Sequence, residues 1–315
     1  MKNILIFAGD DLVACQFLTA FIPEAKANNI NPVIVRVQNG THHWDHPEMK
    51  RYAFYEHTLL NDHVFPYMQE NPSPVFQLFN IDQLSERYNL TVVEAAKVNA
   101  PDFVETVRNL DFIGAFSIRC FQIFKKPLID AIKEKGFFGN SHPGLLPHYR
   151  GLFCMLRGMV ESDTKVGWNL HVVEEGIDTG DIIKEITVPN DSTLNMLQLF
   201  THTIPALAEG WLNYACAHIN GKTKQLEKQP SDGRYFTYPT NTEIDMWLAT
   251  GALKPLSAKT MVQYYCDLAY APEHKLNAAA QDFKVFLINK IARFETLIEM
   301  ERETYVPIKD IQKAA

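Results

Sequence analysis

Short apolar runs separated by mixed stretches set the frame of this chain. Ile4 to Ala8 is unbroken apolar sequence, as expected of a strand buried on both faces. Gly9-Asp10-Asp11 turns it into a helix predicted to reach about Asn28, and Pro32 to Val37 supplies a second buried strand. Strand, helix and strand in that order predict a β-α-β unit of a parallel sheet. Thr91 to Val93, Asp111 to Phe116 and the segment from Phe137 to His142 predict further strands, the last broken by Pro143-Gly144. Val166 to Val173 alternates, turns at Glu174 to Gly176 and resumes with Ile182-Ile183, which predicts a hairpin with Asp178 in its loop.

Beyond Pro189 the period changes. Ser192 is placed to cap a helix from about Leu194 to Ile219, and Asn220-Gly221 ends it. Helical spacing returns at Glu243 to Thr250, Ala258 to Leu268 and about Asn277 to Glu303. The last carries Phe283, Phe286, Leu287, Ile291, Phe294, Leu297 and Ile298, a stripe suited to a core or a dimer face. The tail beyond Tyr305 is expected to fray. The fold class is therefore α/β, a mostly parallel sheet flanked by helices, with a helical C-terminal extension.

Composition narrows the classes. A formal charge of −7 over 315 residues argues against a general phosphate-backbone binder. Cys15, Cys120, Cys154, Cys216 and Cys266 are scattered without CxxC spacing, which fits reduced thiols of a cytoplasmic protein. The N-terminal apolar run is too short for a signal-peptide core or a membrane span. No GxGxxG follows the first strand, which lowers the case for a dehydrogenase.

Residues 39 to 75 are dense in histidine and aromatics, with His42, His43, His46, His57 and His63. Their spacing matches no metal motif, and Pro47 disfavours a helix placing them on one face. The segment is predicted to be a surface or substrate-contacting loop followed by a helix, with no metal.

The chemistry concentrates in two strings. The first runs from Asn140 through His142, Pro143, Gly144, Leu145, Leu146, Pro147 and Tyr149 to Arg150-Gly151, and the second is Gly176-Ile177-Asp178-Thr179-Gly180-Asp181. Asn140 and His142 are two apart on a strand and so project from one face. A strand end opening into a Pro/Gly loop is where open α/β sheets place ligand chemistry. Asp178 is expected to orient the His142 imidazole and raise its pKa. An amide, an imidazole and a carboxylate together suit acyl transfer to an amine.

These two strings resemble those of the folate-dependent formyltransferases, over roughly residues 1 to 190. The resemblance implies the formyltransferase-type, Rossmann-like sheet, with a catalytic domain over 1–228 that holds an insertion at about 39–75. Residues 229–315 would then form a connector and a helical extension. It further implies N10-formyltetrahydrofolate as formyl donor, and Asn140, His142 and Asp178 as catalytic residues. Ser117, Arg119, Phe121 and Ile123 would line the folate pocket, together with Val173, Glu174, Gly176 and Ile177 in the hairpin turn. Arg119, a charge inside an apolar run, must find a partner or reach solvent. Arg150 has two readings, an anchor for an anionic substrate or a local structural pairing.

The acceptor implied is a primary amine of a small molecule, first a nucleotide-linked amino sugar, because aromatics in the insertion and connector can stack on a base or sugar. A hydroxyornithine-type siderophore precursor comes second. Methionyl-tRNA formyltransferase, formyltetrahydrofolate hydrolase and a non-catalytic folate-binding homologue are the remaining alternatives. Residues 230 to 315 carry 10 Lys/Arg against 11 Asp/Glu, a net −1 that argues against tRNA. No membrane partner is expected, and the C-terminal helices offer a homodimer face.

Overall fold

A seven-stranded sheet in the order β3-β2-β1-β4-β5-β7-β8 organises the first of two units in the computed structural model. Its strands are β1 (Lys2–Ala8), β2 (Ile30–Val37), β3 (Thr91–Ala95), β4 (Gly114–Ile118), β5 (Phe137–His142), β7 (Lys165–Val172) and β8 (Ile182–Pro189). The short β6 (Arg150–Gly151) and β9 (Tyr235–Phe236) pair separately and in parallel. The structure describes residues 1–40, 42–161, 164–223 and 225–302; the expected fraying beyond Tyr305 lies outside them, as does Glu303 at the end of the last predicted helix.

The strands β3, β2, β1, β4 and β5 run parallel, whereas β5-β7 and β7-β8 are antiparallel. The sheet is thus mostly parallel with an antiparallel edge, as the sequence pattern predicts. The predicted β4 is displaced toward the C-terminus, because Asp111 to Ile113 lead into the strand and Gly114 begins it.

Helices cover both faces, which is why β4 and most of β1, β2 and β5 are buried. Leu5, Phe7, Val35, Ala115 and Phe138 meet Phe103, Val107, Leu128 and Ile132 from helices Pro101–Asn109 and Lys126–Lys133. Opposite them Phe17, Phe21, Phe116 and Trp211 form a second cluster, with Phe116 and Trp211 stacked at 4.4 Å. Burying each such ring stabilises by roughly 1.5–3 kcal/mol. Gly139 is required here, since a Cβ would lie 2.2 Å from the Trp211 ring. The first helix, Leu12–Ala27, is fixed by Asp11, whose side chain accepts from Ala14 N at 2.9 Å.

Rather than a single cut at residue 228/229, two units interleave along the chain. The first takes in 1–41, 80–191 and 199–238, and the second 42–79, 192–198 and 239–315. Helix Met196–Ile219 begins after Asn195, which exchanges hydrogen bonds with Gln198, so Asn195 and not Ser192 caps it.

The second unit is helical. Pro47 opens a helical run from 47 to 70 that contains two π-turns, Phe54–Thr58 and Leu60–Val64, and His46 caps it through Glu48 N. Helices Asn241–Thr250, Ala258–Ala269 and Ala278–Arg302 complete it. Phe54 stacks on Phe294 at 3.6 Å, and Arg51 and Tyr55 both bond Glu295. Two expectations change as a result. His46 is buried and faces Asp245 at 3.2 Å instead of lying in a surface loop, and Tyr52, Phe54, Tyr55 and Phe65 are buried, so they offer no stacking face to a ligand. Among the described residues no group of three or more His, Cys, Asp or Glu is placed to hold a metal ion. No described helix is long and apolar enough to cross a membrane.

Candidate active site

The register of β5 against β7 sets four polar side chains face to face. Asn140 lies opposite His171, and His142 opposite Asn169. His142, Asn169 and His171 are buried, so their polar atoms must be satisfied internally. Asn169 Oδ1 accepts from Leu146 N at 2.7 Å and so holds the Pro/Gly loop after β5.

Asn140 is oriented from both ends. Its Oδ1 accepts from Ser117 Oγ at 2.5 Å, and its Nδ2 lies 3.1 Å from His171 Nε2. His171 Nδ1 stands 2.9 Å from the Val172 carbonyl, and its Nε2 faces both the Asn140 amide and the Asp178 carboxylate. One Asn140 amide proton faces that ring and the second remains for a ligand. Sequence reading missed His171. Its signal was two polar residues, Asn169 and His171, on one face of an otherwise apolar alternating strand.

Asp178 sits in the β7–β8 hairpin loop with φ +52°, a left-handed conformation uncommon outside glycine. Its Oδ2 lies 3.3 Å from His142 Nδ1 and accepts from Gly151 N at 2.8 Å, while Oδ1 lies 3.4 Å from His171 Nε2. The two motif strings therefore converge on one carboxylate. Burial pushes Asp178 upward, but the facing His142 and His171 rings and the Gly151 N–H hold it well below the usual carboxylate range.

His142 departs from expectation. Burial comes first and lowers its pKa, against the raising effect of Asp178, and the net direction is down. Its Nε2 lies 2.6 Å from the Tyr149 carbonyl, so both ring nitrogens face oxygen. The neutral ring has one lone pair aimed at an acceptor, and protonation replaces that contact with a second hydrogen bond. His142 is thus a buried imidazole with a lowered pKa and an oxygen partner at each ring nitrogen.

The eight expected folate-pocket residues divide into three kinds. Ser117 is buried and reaches the site through Asn140. Arg119, φ +56°, pairs with Asp11 at 2.8 Å and lies over the Phe121 ring. Phe121, Ile123 and Ile177 are 49, 60 and 39% exposed. Side-chain amides lace the loop that presents the first two. Asn39 bonds Arg119 O and Phe121 N, Asn99 bonds Ile123 O and Lys125 N, and Gln122 bonds Val98 N, Gln38 O and Ala96 O. Val173 is buried in the core, Glu174 pairs with Lys133 and Gly176 packs on Thr179. Arg150 pairs locally, its Nη2 donating to Gln229 Oε1 and the Pro230 carbonyl.

Parts of the chain are similar to known proteins. A methionyl-tRNA formyltransferase from Geotalea uraniireducens is 31% identical over 180 residues, covering 57% of this chain and 56% of that protein. One from Syntrophomonas wolfei is 23% identical over 156 residues, covering 50% and 49%. The chain spans about half the length of these curated relatives. Among solved structures, a 4-N formyltransferase from Francisella tularensis is 17% identical, with a TM-score of 0.49 over 75% of this chain and 76% of that one. Residues 61–203, which contain Asn140, His142, His171 and Asp178, match the formyl transferase family.

Proposed function

We propose that this protein is a folate-dependent N-formyltransferase that moves a formyl group from N10-formyltetrahydrofolate to a primary amine of a small molecule. The convergence of His142 and His171 on Asp178, with Asn140 held against His171, carries the reading. The bound donor supplies an electrophilic formyl carbon. Phe121, Ile123 and Ile177 would hold its ring system, with Ser117 and Arg119 shaping the floor. The second Asn140 amide proton stabilises the negative charge that grows on the formyl oxygen as the amine adds. His142 would take up the proton that the amine loses, with Asp178 and the Tyr149 carbonyl accepting the two N–H donors of the resulting imidazolium, and would return that proton to N10 as the bond between N10 and the formyl carbon breaks and tetrahydrofolate leaves.

A nucleotide-linked amino sugar is the proposed acceptor. Tyr235, 54% exposed, supports this, because it pairs with Arg150 in the β6–β9 ladder and so stands one residue from the Gly151 N–H that holds Asp178. The five cysteines are all free thiols, which supports action in the cytoplasm. Exposed Val285, Ile288, Leu297 and Met300 on helix Ala278–Arg302 support a homodimer through that helix.

The test is incubation with N10-formyltetrahydrofolate and separate amines: two nucleotide amino sugars, hydroxyornithine, glycinamide ribonucleotide, and water alone. Tetrahydrofolate release that requires an amino sugar is the expected result. Release with water alone would make the protein a hydrolase, and no release with any amine would overturn the transfer.

A further inference from the structure

Gln229 ties the Asp178 loop to the Arg150 loop from outside both motif strings. Its Nε2 donates to the Asp178 carbonyl at 3.1 Å and to the Gly180 carbonyl at 2.5 Å, while its Oε1 accepts from Arg150 Nη2 at 3.0 Å. Arg150 precedes Gly151, whose N–H holds the Asp178 carboxylate at 2.8 Å. The contacts close a ring running from the Asp178 carbonyl to Gln229, to Arg150, to Gly151 and back to the Asp178 carboxylate. One residue is thereby held at its backbone and its side chain by a single circuit.

Asp178 needs such a hold. A non-glycine residue at a φ of +52° persists only where its surroundings over-determine it. Gly180 is equally confined, since a Cβ there would lie 1.9 Å from the Val172 carbonyl. The segment bearing Gln229 is itself anchored, because Glu227 and Ile182 exchange backbone hydrogen bonds at 2.7 and 3.2 Å. Gln229 lies beyond the segment 61–203 that carries the family match.

We infer that Gln229 is a positioning residue that fixes the Asp178 carboxylate against His142, and that the connector after residue 225 is part of the active-site framework. The kinetic arm of this inference rests on the formyl-transfer reading; the structural arm does not. In labelled protein without substrate, Gln229→Leu and the near-isosteric Gln229→Glu should both shift the Asp178 Cγ and His142 ring-nitrogen NMR resonances while circular dichroism stays native. Unchanged resonances in the folded variants would overturn the inference, and so would unfolding of both, which would assign Gln229 to the fold alone.

In the formyl-transfer assay, kcat should fall roughly ten- to a hundredfold with the donor KM within about twofold, as for other residues that act through a catalytic group. Adding Gln229→Leu to Asp178→Asn should cost nothing more, whereas losses that multiply would show a separate role and overturn it. If the wild type formylates no amine, the transfer reading fails and the NMR arm alone decides the positioning.

Discussion

Asn140 and His171 face each other across the β5–β7 pair, with the amide nitrogen of one 3.1 Å from Nε2 of the other. This contact and the Ser117 hydroxyl fix the direction of the Asn140 amide without any ligand. A donor aimed in advance needs no reorganisation when charge develops, and in the proposed transfer that would be the source of its catalytic value.

Asn140→Ala should therefore lower kcat by about 10²–10³. It also leaves the Ser117 hydroxyl, fully buried, without its partner, at a cost of about 1–3 kcal/mol in stability. His171→Leu keeps the amide but frees its direction, and roughly a tenfold loss is expected. Steady-state kinetics with urea denaturation of both variants check this; an Asn140→Ala protein with wild-type turnover would remove the residue from the mechanism.

The acid limb of activity should belong to His142. Burial lowers its pKa below the ordinary 6.5, so the pH profile of kcat/KM should stay flat through pH 6.5 and fall only below it. Asp178 raises the His142 pKa, so Asp178→Asn should move the limb to still lower pH while reducing the rate throughout.

Stability follows by linkage. The unfolded chain binds a proton on His142 more readily than the folded protein, so stability is full above pH 6.5 and is lost as pH falls toward the lower folded pKa. Asp178, depressed in the fold, adds stability that is present above its ordinary 3.8 and lost as pH falls through its folded pKa. Urea titrations from pH 7.5 to 5 should show a shallower slope in His142→Gln than in wild type. Equal slopes would remove His142 as the group responsible.

Much of this site was legible before any coordinates. Asn140 and His142 share a face because strand geometry requires it, and Asp178 lies in a hairpin loop because the alternation on either side predicts one. His171 was not legible, because a histidine in an alternating strand looks like any inward-facing residue until the β5–β7 register sets it beside Asn140. The His142 pKa was misjudged for a related reason. The charge partner is visible in sequence, but the depth of burial that outweighs it comes from packing. The aromatic insertion failed differently: its rings serve helix Ala278–Arg302, more than 200 residues away, and no local pattern announces such a partner.

Gly151 offers a stability test. Its φ is +95°, and a Cβ there would lie 2.2 Å from the Phe236 carbonyl, within the β6–β9 pair. Gly151→Ala should destabilise by about 1–3 kcal/mol from backbone strain, before any effect of the clash. Because Gly151 N donates to Asp178, activity should fall in the same variant at temperatures where it remains folded. Thermal melts with kinetics at about 20 °C below the midpoint, a margin of at least about five times the shift expected from ~1 kcal/mol in a chain of this size, separate the two losses.

Arg119 and Asp11 give the last prediction. Both side chains are over nine-tenths buried and their ion pair is 2.8 Å long, while Asp11 also caps helix Leu12–Ala27. Arg119→Met would strand a buried carboxylate, which typically costs about 3–5 kcal/mol. The double variant Asp11→Asn/Arg119→Met keeps a competent cap and removes the unpaired charge, so it should be more stable than Arg119→Met alone. That order distinguishes an ion pair retained for compensation from one that supplies net stability. Urea midpoints of the two variants decide it, and a double variant no more stable than the single would show that the Asp11 charge is not what Arg119 compensates.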